Sequence, residues 1–391
     1  MSELRVAIFS GSYNHIIDGA TITLNRLVKF MESKKIPVLV ISTTVDKPAL
    51  NHSGELVPVP SIPIPGRPDY RLAIGFPKSV RKKLREFRPT LVHLATPDLL
   101  GFRAMRYAQA YNTQIVASYH THFIGYAKYY NLGMVEMLGW KYLRWFYSQC
   151  KHVYVPTCCM ADELKRRGIT EGIRIWARGV DTELFNPDKR DMEWRGALGY
   201  KDEHKIVTFV SRLVWEKGLQ IYVDIVKKLN PSSCNIKPMV VGDGPAMKEL
   251  QNMLPEAHFT GFITGNELAR AYASSDVFLF PSETETFGIV TLEAMSSGIP
   301  VVVADATGSK SLVESGVTGF LAPPRNTNEF AKLVLQLAND DQLRARISKA
   351  ARQKALAYPS WDTINSRLLE NCREALEEPR PNQKFNRFTH P

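Results

Sequence analysis

The chain has 391 residues, 44% hydrophobic and 23% charged, proportions of a globular protein with two or three domains that exclude collagen-like and disordered classes. No apolar run is long enough to span a bilayer. The formal charge of +11 is uneven: residues 1–187 hold 25 Lys and Arg against 14 Asp and Glu, while the remainder holds 25 of each, so the first half favours an acidic substrate or surface.

In chain order, the apolar run 6–10 predicts a strand, and a loop through Asp18-Gly19-Ala20 feeds a helix over 21–33 with Leu24, Leu27, Val28 and Met31 on one face. Strands recur at 37–42, 90–95, 114–119 and 152–156 with helices in the gaps, the alternation of a parallel sheet covered on both faces. The segment FPKSVRKKLREFRP sets Phe76, Val80, Leu84 and Phe87 at helical spacing beside Lys78, Arg81, Lys82, Lys83, Arg85 and Arg88. Such a segment reads as a solvated outer helix or as a contact with an anionic membrane surface. Residues 119–150 are dense in aromatics, which suits a core or a sugar-stacking acceptor pocket. A linker about Asn186-Pro187-Asp188 ends a first doubly wound domain, 1–187. A second, 188–358, has predicted strands at 205–210, 237–241, 277–280 and 300–304. The last helix, 359–376, opens on Ser360 as a cap and is expected to pack back on the first domain. The Pro-rich polar tail 377–391 is expected to be mobile. Five cysteines, Cys150, Cys158, Cys159, Cys234 and Cys372, lack disulfide or zinc spacing, and no signal-peptide pattern opens the chain, so a reducing, cytosolic setting is expected.

Dehydrogenase chemistry is the first to test against two doubly wound domains. Gly242-Asp243-Gly244-Pro245 comes nearest to a dinucleotide fingerprint and lacks its third glycine. There is no Gly-x-x-x-x-Gly-Lys phosphate loop, nor an Asp-x-Asp pair to hold a divalent ion on a diphosphate, so a diphosphate would rest on cations and helix termini. Arg212 stands at the carboxyl end of strand 205–210 and Lys217 at the next helix start, where ligands of a doubly wound sheet sit; the alternative leaves both as solvated surface cations. The stretch PSETETFGIVTLEAMSSGIP supplies a helix terminus. Its helix is expected to open at Phe287-Gly288, turning the N–H groups from Phe287 to Ile289 and Val290 toward an anion, with Glu285 and Glu293 placed to accept from hydroxyls. Each glutamate also reads as an ordinary cap-region or solvated helix residue. His120 and His122 end strand 114–119 without the spacing of a zinc site, which leaves His120 as a core histidine or one on the ligand side.

The Glu-x7-Glu pair, Glu285 to Glu293, stands with Ser211-Arg212, Lys217-Gly218, Val241-Gly242-Asp243-Gly244-Pro245, Phe259-Thr260-Gly261, Ser275-Asp276-Val277 and Gly316-Val317-Thr318-Gly319-Phe320-Leu321. Together these resemble a family-4 retaining glycosyltransferase of the GT-B architecture over nearly the whole chain. The resemblance implies an α/β fold of two Rossmann-like domains with a donor cleft between them. It also implies a nucleotide-sugar donor, a hydroxyl acceptor (lipid, polyol or glycan), no metal or other cofactor, and no nucleic acid. By the same resemblance His120 meets the donor sugar near its reacting carbon, and Glu285 accepts from the sugar hydroxyls. Arg212, Lys217 and the amides of Ile289 and Val290 stabilise the departing diphosphate, and Glu293 holds the ribose. Gly19 lets its loop close on the phosphates, and Gly242, Phe262, Phe287 and Gly288 complete the donor-binding set. Asp18-Gly19-Ala20 keeps one glycine where the family often has a pair, and residues 304–310 depart from its glycine-rich turn. The implied mechanism is front-side displacement, in which the leaving phosphate oxygen takes the acceptor's proton. Trp176 to Pro187 is similar to GDP-mannose-dependent α-mannosyltransferases and sulfoquinovosyl diacylglycerol synthases, implying a hexose donor, GDP-mannose, and pointing to a lipid acceptor. A UDP-sugar donor, a nucleotide-sugar-binding protein without transfer and a sugar-nucleotide epimerase are the alternatives.

Overall fold

The computed structural model describes residues 3–64, 67–120, 133–229 and 235–379. His122, the first part of the aromatic stretch, Cys234 and the tail from 380 lie outside them. The chain forms two compact units, one running to Ala177 and resuming at Asp362, the other Arg178–Trp361.

The first unit contains β1 (Val6–Ser10), β2 (Val38–Ser42), β3 (Glu55–Pro58), β4 (Ser61–Ile64), β5 (Arg67–Ala73), β6 (Leu91–Leu94), β7 (Gln114–Ser118), β8 (His152–Val155) and β9 (Ile173–Ile175). Seven of these form a parallel sheet in the order β3-β2-β1-β6-β7-β8-β9, and β4 pairs antiparallel with β5 in a separate two-stranded sheet. The central strands read VAIFS and QIVAS and every residue in them is buried, as expected for parallel strands covered on both faces. Helices α1 (Gly19–Ser33), α2 (Lys78–Phe87), α3 (Leu99–Ala110), α4 (Gly133–Tyr147) and α5 (Cys158–Arg166) connect them. The first is stopped at its N-terminus by a capping box: Asp18 Oδ1 accepts from Thr21 N at 2.8 Å, and Thr21 Oγ1 accepts from Asp18 N at 3.0 Å.

The second unit has β10 (Lys205–Val210), β11 (Ile236–Val241), β12 (His258–Gly261), β13 (Val277–Phe280), β14 (Val301–Ala304) and β15 (Phe320–Ala322) in the order β12-β11-β10-β13-β14-β15. Its helices are α6 (Met192–Ala197), α7 (Leu219–Leu229), α8 (Met247–Met253), α9 (Gly265–Ala273), α10 (Ile289–Ser296), α11 (Thr307–Leu312), α12 (Thr327–Asn339) and α13 (Asp341–Leu356). β10 lies between β11 and β13, so the strand order reverses between β10 and β13, the point at which a doubly wound sheet opens a crevice at its carboxyl edge.

The last helix, α14 (Trp361–Glu377), buries Ile364, Leu368, Leu369, Cys372 and Ala375 in the same core as Leu24, Leu27, Tyr154 and Trp176 of the first unit. The division between units falls after Ala177, whereas the sequence placed it at residue 187. Residues 178–187 are held by the second unit: the Phe185 ring meets Tyr272 edge-on at 5.8 Å, and its carbonyl accepts from Ser296 Oγ and Arg352 Nη1. The sequence pattern also missed β3, β4, β5, β9, β12 and β15. These are short or lie at or toward sheet edges, and residues such as HFTG carry no apolar alternation to announce them.

Candidate functional site

In the second unit the loops after five neighbouring strands meet along one sheet edge. The loop after β10 leaves through Ser211 and Arg212, and Lys217 closes a short 3₁₀ turn, Trp215–Lys217, ended by Gly218 at φ 79°. Lys217 therefore lies just ahead of α7, separated from Leu219 by Gly218 alone, rather than in that helix's first turn. A Cβ on Gly218 would lie 2.9 Å from the Pro281 carbonyl oxygen, and Thr284 Oγ1 donates to the Glu216 carbonyl at 2.9 Å. These two contacts lock the loops after β10 and β13 together, and across them Lys217 Nζ donates to Glu285 Oε1. Both side chains are largely buried, with 21% and 14% exposure. An ion pair so placed gains more than a surface pair, because little water remains to screen it.

The helix after β13 begins at Ile289 rather than Phe287, with Gly288 at φ 91° as its N-cap. The left-handed backbone at Gly288 turns the chain sharply, so Phe287 is a buried anchor, its ring set edge-on against Tyr358 at 6.0 Å. Ile289 and Val290 occupy the first turn, where backbone N–H groups lack intrahelical partners. The first turn of α11, which follows β14, supports this corner. Gly308 N donates to the Glu285 carbonyl at 2.7 Å, and a Cβ on Gly308 would stand 2.3 Å from Phe287 N. Ser309, fully buried, faces Gly288, whose added Cβ would meet Ser309 Oγ at 2.8 Å. Sequence reading marked 304–310 as a departure from the family's glycine-rich turn that bears on acceptor binding or on packing; the signal it missed is that Gly308 allows backbone-to-backbone approach.

Glu293 lies in the second turn of α10 and accepts from the Tyr272 hydroxyl at 3.1 Å. Burial first, and the neighbouring carboxylate second, push the Tyr272 phenol well above its ordinary range, so it stays a donor and fixes one Glu293 oxygen. On the other side of β10, the left-handed Gly242 (φ 131°) passes so near that a Cβ would sit 1.9 Å from the Ser211 carbonyl oxygen. Its N–H donates to Gly261 O at 2.9 Å, and Leu213 N donates to Asp243 O at 2.9 Å. Phe262, next after β12, is 53% exposed. The structure thus brings Arg212, Lys217, Gly242, Phe262, Glu285, Phe287, Gly288, Ile289, Val290 and Glu293 to one edge of one sheet.

Gly19 and His120 belong to the first unit. Gly19 is the exposed first residue of α1, in the connection after β1. His120 follows β7, is 9% exposed, and its ring meets the Trp176 indole edge-on at 5.2 Å. The Trp176 backbone is fixed in turn by its amide N–H, which donates to Val155 O at 2.7 Å.

A family model described as glycosyl transferases group 1 matches residues 191–354, and one described as glycosyltransferase family 4 matches 17–184. The chain is 31% identical to a GDP-mannose-dependent alpha-mannosyltransferase of Corynebacterium glutamicum, over 95% of this chain and 89% of that one. It is 30% identical to the sulfoquinovosyl transferase SQD2 of Arabidopsis thaliana, over 93% of this chain and 72% of that one. Among solved structures, a sucrose-phosphate synthase from Thermosynechococcus elongatus superposes with a TM-score of 0.77 at 19% identity, covering 96% of this chain and 99% of that one. Two parallel-sheet α/β units, a cation–carboxylate pair beside a glycine-capped helix at a strand-order reversal, and these matches together place the chain in glycosyltransferase family 4, with the GT-B fold.

Proposed function

We propose that the protein is a retaining hexosyltransferase that moves mannose from GDP-mannose to a hydroxyl of a lipid, polyol or glycan acceptor. The observation behind this reading is the Lys217–Glu285 pair, held beside the open first turn of α10. A diphosphate arriving at that turn meets unpaired N–H groups and the positive end of the helix dipole, with Lys217 and Arg212 on the adjoining loop. As Lys217 turns to the phosphate, Glu285 is released to accept from the sugar's hydroxyls. Charge grows on the leaving diphosphate in the transition state, so preorganised cations and amides lower the barrier without a metal. In this reading His120 meets the donor sugar, Gly19 belongs to a loop that closes on the phosphates, Glu293 holds the ribose, Gly242 lets the backbone approach the nucleotide, and Phe262 packs on it. The leaving phosphate oxygen takes the acceptor's proton, and retention follows from attack on the face the diphosphate leaves. The mannosyl donor is favoured by the Corynebacterium relative, while the Arabidopsis relative makes a sulfoquinovosyl donor the second reading.

Thermal unfolding with GDP-mannose, UDP-glucose and a UDP-sulfoquinovose donor tests the choice, since the cognate ligand raises the midpoint by mass action. GDP-mannose is expected to stabilise most and to be consumed with retention, read by NMR of the product. Glu285→Ala and Lys217→Ala are each expected to lower turnover more than about tenfold, or about 1.4 kcal/mol of transition-state stabilisation. Folded variants with wild-type turnover would sink the assignment of this pair, and indifference to GDP-mannose would sink the donor.

A further inference from the structure

Helix α10 is held at both ends. At its start the left-handed Gly288 packs so close to Ser309 that an added Cβ would meet its Oγ at 2.8 Å. At its end Ser296 Oγ donates to the Phe185 carbonyl at 2.7 Å, and Arg352 Nη1 donates to the Ser296 carbonyl at 2.7 Å. Between these anchors Thr291, Leu292, Ala294, Met295 and Ser296 are buried, and Glu293 is half-buried. Packing therefore sets the backbone that carries Glu293, and what remains to be fixed is the rotation of its own side chain. The Tyr272 hydroxyl, which donates to Glu293 Oε2 at 3.1 Å, restrains that rotation.

Tyr272 is itself immobile. It stands in the last turn of α9, fully buried, with its ring edge-on to Phe185 at 5.8 Å and tilted against Phe278 at 6.0 Å. A phenol buried in this way needs a partner for its O–H, and here the partner is a half-exposed carboxylate at the site rather than a backbone carbonyl of the core. The hydroxyl stays protonated, so toward Glu293 it only donates. A carboxylate pinned at one oxygen presents a fixed plane and keeps further acceptor positions on both oxygens. Such a plane suits the adjacent 2′- and 3′-hydroxyls of a ribose, which can donate together only to acceptors set in the right orientation. We propose that Tyr272 is a positioning residue for the nucleotide: its hydroxyl orients Glu293 and so selects ribonucleoside diphosphates over their deoxy counterparts, without touching the ligand. The inference rests on the placing of Glu293 at the ribose under the proposed function and names what that contact selects.

Calorimetric titration of the full chain with GDP, 2′-deoxy-GDP and 3′-deoxy-GDP tests it, on the wild-type protein, Tyr272→Phe and Glu293→Ala. The ribose is common to GDP and UDP, so UDP and its deoxy analogues take their place if UDP gives the larger thermal shift. Wild type is expected to bind the ribonucleotide more than about tenfold more tightly than either analogue. Tyr272→Phe is expected to weaken the ribonucleotide about five- to tenfold and the analogues less than about twofold, so that the preference collapses. A loss of fold stability alone would weaken every nucleotide by the same factor, and that result would overturn the proposal. A preference kept in Tyr272→Phe but lost in Glu293→Ala would also overturn it, while leaving Glu293 on the ribose. No preference in wild type, or one that survives Glu293→Ala, would remove Glu293 from the ribose and this proposal with it. Thermal unfolding without nucleotide checks that the variants fold; Tyr272→Met deletes the same hydroxyl and replaces the phenylalanine variant if that one does not.

Discussion

His93, on β6, is 1% exposed, and its Nε2 shares a hydrogen bond with the Ser118 hydroxyl between the rings of Tyr154 and Trp176. Burial without a carboxylate pulls its pKa from the ordinary 6.5 down to about 4. The folded-state value lies below the unfolded one, so the unfolded chain takes up the proton first as pH falls. Stability is therefore full above the unfolded value and is lost as pH falls from 6.5 toward 4, by up to about 3 kcal/mol for this residue. His15, His152 and His258 are shifted in the same direction, each chiefly by burial. Denaturant midpoints measured across this range should fall on acidification, and His93→Gln should flatten the slope. Parallel slopes would show that His93 does not set it. The same scale holds what was plain in the sequence about the site. The sequence put Glu285, Lys217 and Glu293 forward as candidates, through the Glu-x7-Glu spacing and the place of Lys217 after an apolar strand, and left each open as an ordinary solvated residue. That Lys217 meets Glu285 and Glu293 meets Tyr272 was not legible, since each pair spans loops and helices far apart in the chain.

Among the elements, the corner formed by α10 and the turn into α11 shows how a small residue positions the backbone of the candidate site. Gly308 approaches so near to Phe287 N and Thr286 C, 2.3 and 2.4 Å from an added Cβ, that any side chain must displace the loop bearing Glu285. Gly308→Ala is expected to lower nucleotide affinity about tenfold or more while costing roughly 1–3 kcal/mol of stability. Calorimetric titration with the nucleotide, set beside thermal unfolding, checks it; unchanged affinity would show that the corner tolerates the shift and that Gly308 does not position it. Helix starts were the least legible elements. The sequence opened the helix at Phe287, but Phe287 is drawn into the core and the left-handed Gly288 delays the first helical residue to Ile289. The central strands, by contrast, were read almost residue by residue, because VAIFS and VFLF can be satisfied only by burial on both faces.

At the scale of the whole molecule, the return of α14 to the first unit ties the C-terminal segment to the N-terminal fold. Tyr154 and Cys372 touch side chain to side chain at 3.5 Å, and Leu368 is 1% exposed in their core. Leu368→Ala is expected to destabilise the first unit by roughly 2–5 kcal/mol through the cavity it leaves. Hydrogen exchange should then rise in β1 and β6 to β8 while β10 keeps its protection; loss in both units together would show that the two unfold as one. The periodicity of apolar residues determined that the chain is doubly wound twice over, and the Glu-x7-Glu stretch with its neighbouring cations pointed to the family, since both are patterns local in sequence. Tertiary structure alone decided that residues 178–187 join the second unit, that Gly308 braces Glu285, and that the Tyr272 hydroxyl reaches Glu293. Each of these depends on which distant backbone comes to lie alongside, and strand pairing and close packing choose that partner only once the chain has folded.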